Sequence, residues 1–213
     1  MNDTRVSTPF GNGRLVLDQA TDAVATLLLS HGAGNGIDTA DLLALAAGLP
    51  AHGITVARFE QPWKVAGRRV ATAPPTLDVG LRAAASALAA ASPLVVGGRS
   101  AGARSAARCA LSLGAAGCLA LAFPLHPPGR PEKSRLGELM SASVPTLVVQ
   151  GERDTMGRPG EFPADLPGVE LLVVADGDHS LRVPARAALS TAQALDEVVA
   201  TVLTWIRRTV GNH

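Results

Sequence analysis

Gly98-Arg99-Ser100-Ala101-Gly102 reads G-x-S-x-G, and its setting decides the fold. The apolar run Pro93-Leu94-Val95-Val96-Gly97 precedes it, and a helix-like stretch from Ala101 to Leu113 follows. A strand that ends, a sharp turn and a helix that begins leave the serine exposed on the turn, as a nucleophile elbow. Glycine is expected on either side because strand and helix backbones approach closely there, and a Cβ at either position would collide. The helix start adds free N–H groups and the positive end of its dipole beside the serine oxygen. Without that setting the five residues describe only a strand–turn–helix junction with a passive serine.

The chain has 213 residues, 47% of them hydrophobic and 17% charged. That is enough for one α/β domain over residues 1–213 with a real core, and it excludes disorder. No apolar run approaches the ~18 residues of a membrane span. Met1-Asn2-Asp3-Thr4-Arg5 lacks the apolar stretch of a signal peptide, so a cytoplasmic location is expected. A net charge of +1 exerts no general pull on nucleic acid or anionic membrane. Aromatics make up 3% with no Tyr, which argues against base-stacking surfaces. No nucleic-acid or membrane partner is expected, and nothing in the sequence sets the oligomeric state. Cys109 and Cys118 fit no zinc spacing or disulfide framework and read as small buried hydrophobes. The 17 Arg against 2 Lys read as coding bias, not guanidinium chemistry.

Apolar runs alternate with helical patterns along the chain. Strands are predicted at 25–29, 54–59, 94–97, 118–123, 146–150 and 170–174, several almost continuous in Val and Leu, as in parallel strands covered on both faces. Residues 14–17 add a possible edge strand. Helices are predicted at 41–49, after a capping-box-like Asp38-Thr39-Ala40-Asp41, and at 76–91, 101–113 and 190–208. In the last, Leu195, Val198, Val199, Val202, Leu203 and Ile206 form one apolar stripe. The series implies an α/β fold with a mostly parallel, doubly wound sheet. The loops 61–75 and 124–131 leave strand ends where such sheets bind ligands. The second is too short for a cap domain, so a shallow, open pocket is expected.

A serine hydroxyl needs a base within hydrogen-bond reach, and the base needs an orienting carboxylate. A serine-based acyl-transfer site on a parallel α/β sheet takes these in the chain order serine, acid, histidine. Gly151-Glu152-Arg153-Asp154 follows one predicted strand and Ala175-Asp176-Gly177-Asp178-His179-Ser180 follows the next. Asp154 is assigned as the acid and His179 as the general base. Glu152, Asp176 and Asp178 are the alternative acids.

The site also needs oxyanion donors. One is the N–H of Ala101, after the nucleophile. The other is assigned to Ala33 in Ser30-His31-Gly32-Ala33-Gly34-Asn35-Gly36, an HGxG turn after an early strand. A phosphate-binding reading of that turn fails on spacing, because Ile37 stands where a third small residue is required and no Gly-Lys-Ser/Thr is present. His31 reads as a brace for its loop. His126, in Phe123-Pro124-Leu125-His126-Pro127-Pro128-Gly129, precedes the acid and reads as a loop brace or a pocket wall. His52 and His213 read as surface residues. Trp63, Leu125, His126, Met156 and Leu181 are the candidate substrate-binding residues. No metal site is expected.

These segments together resemble the α/β-hydrolase family typified by the testis-expressed protein thirty and the third subunit of the nonspecific-lethal chromatin complex, related to dienelactone hydrolases. The resemblance spans nearly the whole chain, with Pro124-Leu125-His126-Pro127-Pro128-Gly129 its most specific part. The family commonly carries Met where Ala101 stands and Gly at Ala103, which widens the pocket beside the nucleophile here. The resemblance implies an α/β-hydrolase fold, compact and without a cap domain. Some relatives serve as scaffolds and lack a complete triad, whereas this chain keeps Ser100, Asp154 and His179. The expected function is a serine hydrolase acting on a small or medium ester or thioester through an acyl-enzyme, with no metal or organic cofactor. A non-catalytic interaction module on the same fold is the alternative, and hydrolysis and acyl transfer are not separable from sequence. A serine nucleophile sets the chain apart from dehalogenases, which use Asp, and from dienelactone hydrolase itself, which uses Cys.

Overall fold

Strands β1 (Asn2–Thr8), β2 (Gly11–Asp18), β3 (Ala25–Ser30), β4 (Ile54–Glu60), β5 (Leu94–Arg99), β6 (Gly117–Leu121), β7 (Thr146–Gly151) and β8 (Val169–Val174) form one sheet in a computed structural model that describes residues 2–211. Their order is β1-β2-β4-β3-β5-β6-β7-β8. The β1–β2 and β2–β4 pairs are antiparallel, and every pair from β4 to β8 is parallel. All residues of β3, β6 and β7 are buried, which is why those segments read as unbroken apolar runs. The sheet edge at β8 leaves Leu171 and Val173 exposed.

Helices α1 (Ala40–Gly48) and α6 (Thr191–Gly211) cover one face. Leu42 and Leu45 pack there with Val198, Val202, Trp205 and the sheet residues Leu27 and Val149. Helices α3 (Pro74–Leu88), α4 (Ala101–Cys109) and the short α5 (Leu136–Met140) cover the other, through Leu81, Ala84, Ala106, Ala107 and Leu139. A further short helix, α2 (Pro62–Val65), lies in the loop after β4. The fold is an α/β hydrolase sheet with both faces covered. No inserted cap interrupts the described residues, and no helix among them is long and apolar enough to cross a membrane.

Several boundaries differ from those expected. Residues 14–17 belong to β2, which is not the edge, because β1 pairs outside it. β1 has one buried apolar side chain, Val6, so its sequence carries no alternation to read. Helix α4 stops at Cys109, and a 3₁₀ turn at Leu111–Leu113 closes on Gly114 at φ 60°. The capping box does not form at α1. Thr39 caps it without a side-chain bond, while Asp38 pairs with Arg58 and Asp41 with Arg99. His52 is exposed at the surface, and His213 lies outside the described residues.

Cys109 and Cys118 are both fully buried and unpaired. Burial pushes the Cys109 thiol up to about 11 and the Cys118 thiol up to about 12. A thiol is reactive as thiolate, so both are expected to be inert in the native protein. Ellman's reagent at pH 8 should release no chromophore until guanidinium is added, and then account for both thiols. Prompt release from native protein would contradict this packing.

Candidate active site

Ser100 sits between β5 and α4 with φ 53° and ψ −112°, a left-handed backbone that side-chain-bearing residues rarely adopt. Such strain costs about 1–3 kcal/mol and persists only where surrounding packing dictates it. Here β3 dictates it. A Cβ on Gly98 would stand 2.5 Å from the Ser30 carbonyl oxygen, and one on Gly102 would overlap that same carbonyl and crowd His31 O at 2.8 Å. Glycine on both sides of the elbow is what allows its turn to close against the end of β3.

Three strand ends then meet. His179, from the loop after β8, places Nε2 3.0 Å from Ser100 Oγ. Its Nδ1 lies 2.7 Å from Oδ2 of Asp154, from the loop after β7. Asp154 is fully buried and the His179 side chain is 26% exposed. A carboxylate only accepts, so Nδ1 carries the proton and Nε2 is free to accept from the serine hydroxyl. The other candidate acids are spent on backbone. Glu152 accepts from Asp176 N, and Asp178 Oδ1 accepts from Ser180 N and Arg182 N. Asp176 stands 3.9 Å from Arg153.

The His31–Gly36 loop covers the nucleophile. A Cβ on Gly32 would lie 3.4 Å from Ser100 Cβ and from Arg99 O, which brings Ala33 beside the elbow. Among the described residues the N–H groups of Ala33 and Ala101 have no hydrogen-bond partner. His31 braces this loop as a neutral ring. Nδ1–H donates to Gly32 O at 2.8 Å and Nε2 accepts from Gln61 N at 3.0 Å. Burial pushes its pKa down.

Two positions that the sequence left unread support the site. Arg99, the first variable residue of G-x-S-x-G, is 5% exposed. Its Nη2 donates to His179 O at 2.7 Å and to Ser180 Oγ at 3.0 Å. Its Nε stands 3.0 Å from Asp41 Oδ2, a close ion pair whose N–H is not aligned on the oxygen. Gln150, at the end of β7, donates from Nε2 to Asp154 Oδ2 at 2.9 Å. The variable position of the motif was the available signal for Arg99. A lone Gln in an apolar strand was the signal for Gln150.

The expected pocket wall is largely misplaced. Leu181 is fully buried in the core beneath α6, and Leu125 is buried with Phe123, Leu139 and Phe162. Leucines beside polar turns were drawn into the core because the loops fold back on it. Trp63 is buried against the His31 ring, centroids 5.4 Å apart, and lines a separate 630 Å³ cavity with Phe10, Arg68 and Thr76. Met156 is half-buried, and its backbone works for the site: its N–H donates to Asp154 Oδ1 at 2.8 Å and its carbonyl accepts from His126 N. A cleft of about 560 Å³ beside the elbow is polar instead. Arg99 and Ser180, chain neighbours of Ser100 and His179, line it with Asn35, Asp41, Lys64 and Arg182.

His126 braces two loops. Its Nδ1 lies 2.9 Å from Pro127 O and its Nε2 2.9 Å from Glu161 Oε2. Both partners are acceptors, so the doubly protonated ring satisfies both bonds. The Pro127 carbonyl, and after it Glu161, raise the His126 pKa against the effect of burial. Among the described residues no three His, Cys, Asp or Glu side chains cluster as a metal site.

A family model described as an alpha/beta hydrolase domain matches residues 23–207. Among solved structures, an α/β serine hydrolase homologue from Coxiella burnetii is similar at TM-score 0.75 and 16% identity, covering 95% of this chain and 96% of the other. A serine hydrolase without a lid from Xanthomonas campestris is similar at TM-score 0.71 and 20% identity, covering 97% and 94%. A dienelactone hydrolase from Anabaena variabilis is similar at TM-score 0.75 and 16% identity, covering 97% and 96%. At these identities the likeness carries the fold.

The His126 brace has a signed pH dependence. A group whose folded pKa is raised gives its full stabilisation below the unfolded value, ordinarily 6.5, and loses it as pH rises through the folded value. Denaturation midpoints of the native protein should therefore fall as pH rises above 6.5. His126→Gln should remove that alkaline loss. His31, whose pKa is lowered, acts only on the acid side and should weaken both proteins alike. Identical alkaline slopes would remove the brace from the account.

Proposed function

Since this chain belongs to the α/β hydrolase domain family, matched over residues 23–207, we propose that it is a single-domain serine hydrolase cleaving a small or medium carboxylic ester or thioester through an acyl-enzyme on Ser100. The observation that carries this reading is the unbroken relay from buried Asp154 Oδ2 through His179 to Ser100 Oγ, at 2.7 and 3.0 Å. A scaffold has no use for a strained serine aligned on an oriented imidazole, so the non-catalytic reading has no observation in its favour.

Each residue then has a role. His179 Nε2 removes the Ser100 proton as Oγ bonds to the substrate carbonyl carbon. The tetrahedral oxyanion is met by the N–H groups of Ala33 and Ala101. Asp154 holds the imidazole tautomer and stabilises the imidazolium. The carbonyl bond to the leaving oxygen or sulfur breaks, and His179 returns the proton to that group. Water, activated by the same imidazole, then cleaves the acyl-enzyme. Within the family we place the chain nearest the branch typified by the testis-expressed protein thirty, on its Pro124–Gly129 segment.

The polar cleft supports a short or polar acyl group over a long alkyl chain. Among p-nitrophenyl esters, kcat/KM should be highest at two to four acyl carbons and fall at least about ten-fold by twelve, because the polar lining of the cleft beside the elbow supplies little transfer energy to added methylenes. A preference rising with chain length would reject this substrate class.

A fluorophosphonate probe should label Ser100 alone. Ser100→Ala and His179→Ala should each lower kcat by about 10⁴–10⁶-fold while the fold is kept, and the double variant should be no worse, because the two act as a unit. Mass mapping locates the adduct. Labelling of another serine, or turnover equal to the native protein's in Ser100→Ala, would reject the site.

A further inference from the structure

We propose that Gln150 is the positioning residue of the triad acid, fixing the plane of the Asp154 carboxylate and moderating the charge it presents to His179. The proposal rests on the triad reading above. Gln150 is fully buried at the end of β7. Its Nε2 faces three oxygens: Phe123 O at 3.2 Å, Asp154 Oδ2 at 2.9 Å and Gly157 O at 2.7 Å. None of the three can donate, so the amide has one admissible orientation, with nitrogen toward the acid. Its Oε1 is buried without a partner among the described residues. An orphaned buried acceptor costs stability. An apolar side chain would avoid that cost, so the amide's return lies in what its nitrogen does.

What the nitrogen does is specific. Asp154 Oδ1 takes the Met156 N–H, and Oδ2 is shared between His179 and Gln150. Three donors in different directions leave the carboxylate no free rotation. Gln150 also ties the acid loop at Gly157 to Phe123, two residues beyond β6, through a single nitrogen. It touches neither Ser100 nor the cleft, so it acts through Asp154. Withdrawing its N–H leaves more of the carboxylate charge on the imidazole, which favours the protonated ring and raises the pH at which the base is free. A glutamic acid at the same place faces the same three acceptors beside Asp154, is held protonated, and returns a donor to Oδ2.

The test needs no natural substrate. The second-order rate of fluorophosphonate labelling is followed from pH 5 to 9 for the native protein, Gln150→Leu, Gln150→Glu and Asp154→Ala with and without Gln150→Leu. The acid limb should move to higher pH in Gln150→Leu, by on the order of one unit and with a loss of up to about ten-fold along that limb, and Gln150→Glu should return most of the way to native. In the Asp154→Ala background Gln150→Leu should change the rate less than about two-fold, because the pathway is already cut. Circular dichroism and thermal melts report folding of each variant. An unchanged acid limb in folded Gln150→Leu overturns the proposal, as does a Gln150→Glu limb displaced as far as that of Gln150→Leu, an undiminished Gln150→Leu effect without Asp154, or loss of fold in Gln150→Leu, which makes Gln150 a structural strut. A native protein that takes no label on Ser100 instead overturns the triad reading, and the proposal with it.

Discussion

The backbone contact between the elbow and the end of β3 is the constraint on which the rest of the site depends. Gly98 and Gly102 close on the Ser30 carbonyl with no room for a Cβ. Two consequences follow from that one contact. Ser100 is forced into a left-handed backbone, so its side chain projects beyond the carboxyl end of β5 rather than lying along the strand. The His31–Gly36 loop, which continues directly from Ser30, is carried beside the nucleophile, with Gly32 against Ser100 and Arg99. The elbow and the His31–Gly36 loop thus have one mechanical origin. A change at Ser30, remote in sequence from the motif, would disturb both.

The acid and base reach the same place by a different route. Both follow parallel strands at the β8 end of the sheet, and their loops are held by polar contacts rather than by apolar packing. Arg99 grips the His179 carbonyl from the nucleophile strand, and Gln150 grips Asp154 from β7. Met156 and His126 hold the far side of the acid loop. The Asp154 loop is thus held from its own strand and the His179 loop from the strand of the elbow. Placement at this level of precision requires such a supporting set, since a buried carboxylate left free to rotate would lose its aim at the imidazole.

Those differences in origin explain what was legible in the sequence. The parallel strands were readable because two-sided burial writes itself as continuous Val and Leu, and the serine, acid and histidine because turns after strands mark positions in the order. β1 was unreadable because its pairing is made by backbone and needs only Val6 inside. The substrate wall was misread for a physical reason. Leu125 and Leu181 are apolar residues flanking the site, but the loops they stand on fold inward, so both satisfy the core and neither meets the cleft. Apolar character marks burial, and which burial it marks depends on a loop path that periodicity does not encode.

The arginine content shows the same limit from the opposite side. An excess of 17 Arg over 2 Lys reads in composition as a coding habit, yet the guanidinium groups are used as such. Arg58, 3% exposed, reaches Asp18, Asp38 and the Ile37 carbonyl from one planar head. Arg108 bonds Asp78 through two nitrogens and reaches Glu138 with a third, and Arg104 meets Glu138 through two, locking α3, α4 and α5 together. Arg99 spans Asp41 and the His179 loop. A lysine ammonium is a single point charge and could serve one end of each bridge. The two lysines stand elsewhere, Lys64 at the cleft and Lys133 exposed. Forked donors at buried junctions let charged residues join separate elements. That is how a chain with few aromatics holds a polar site rigid at the edge of an aliphatic core.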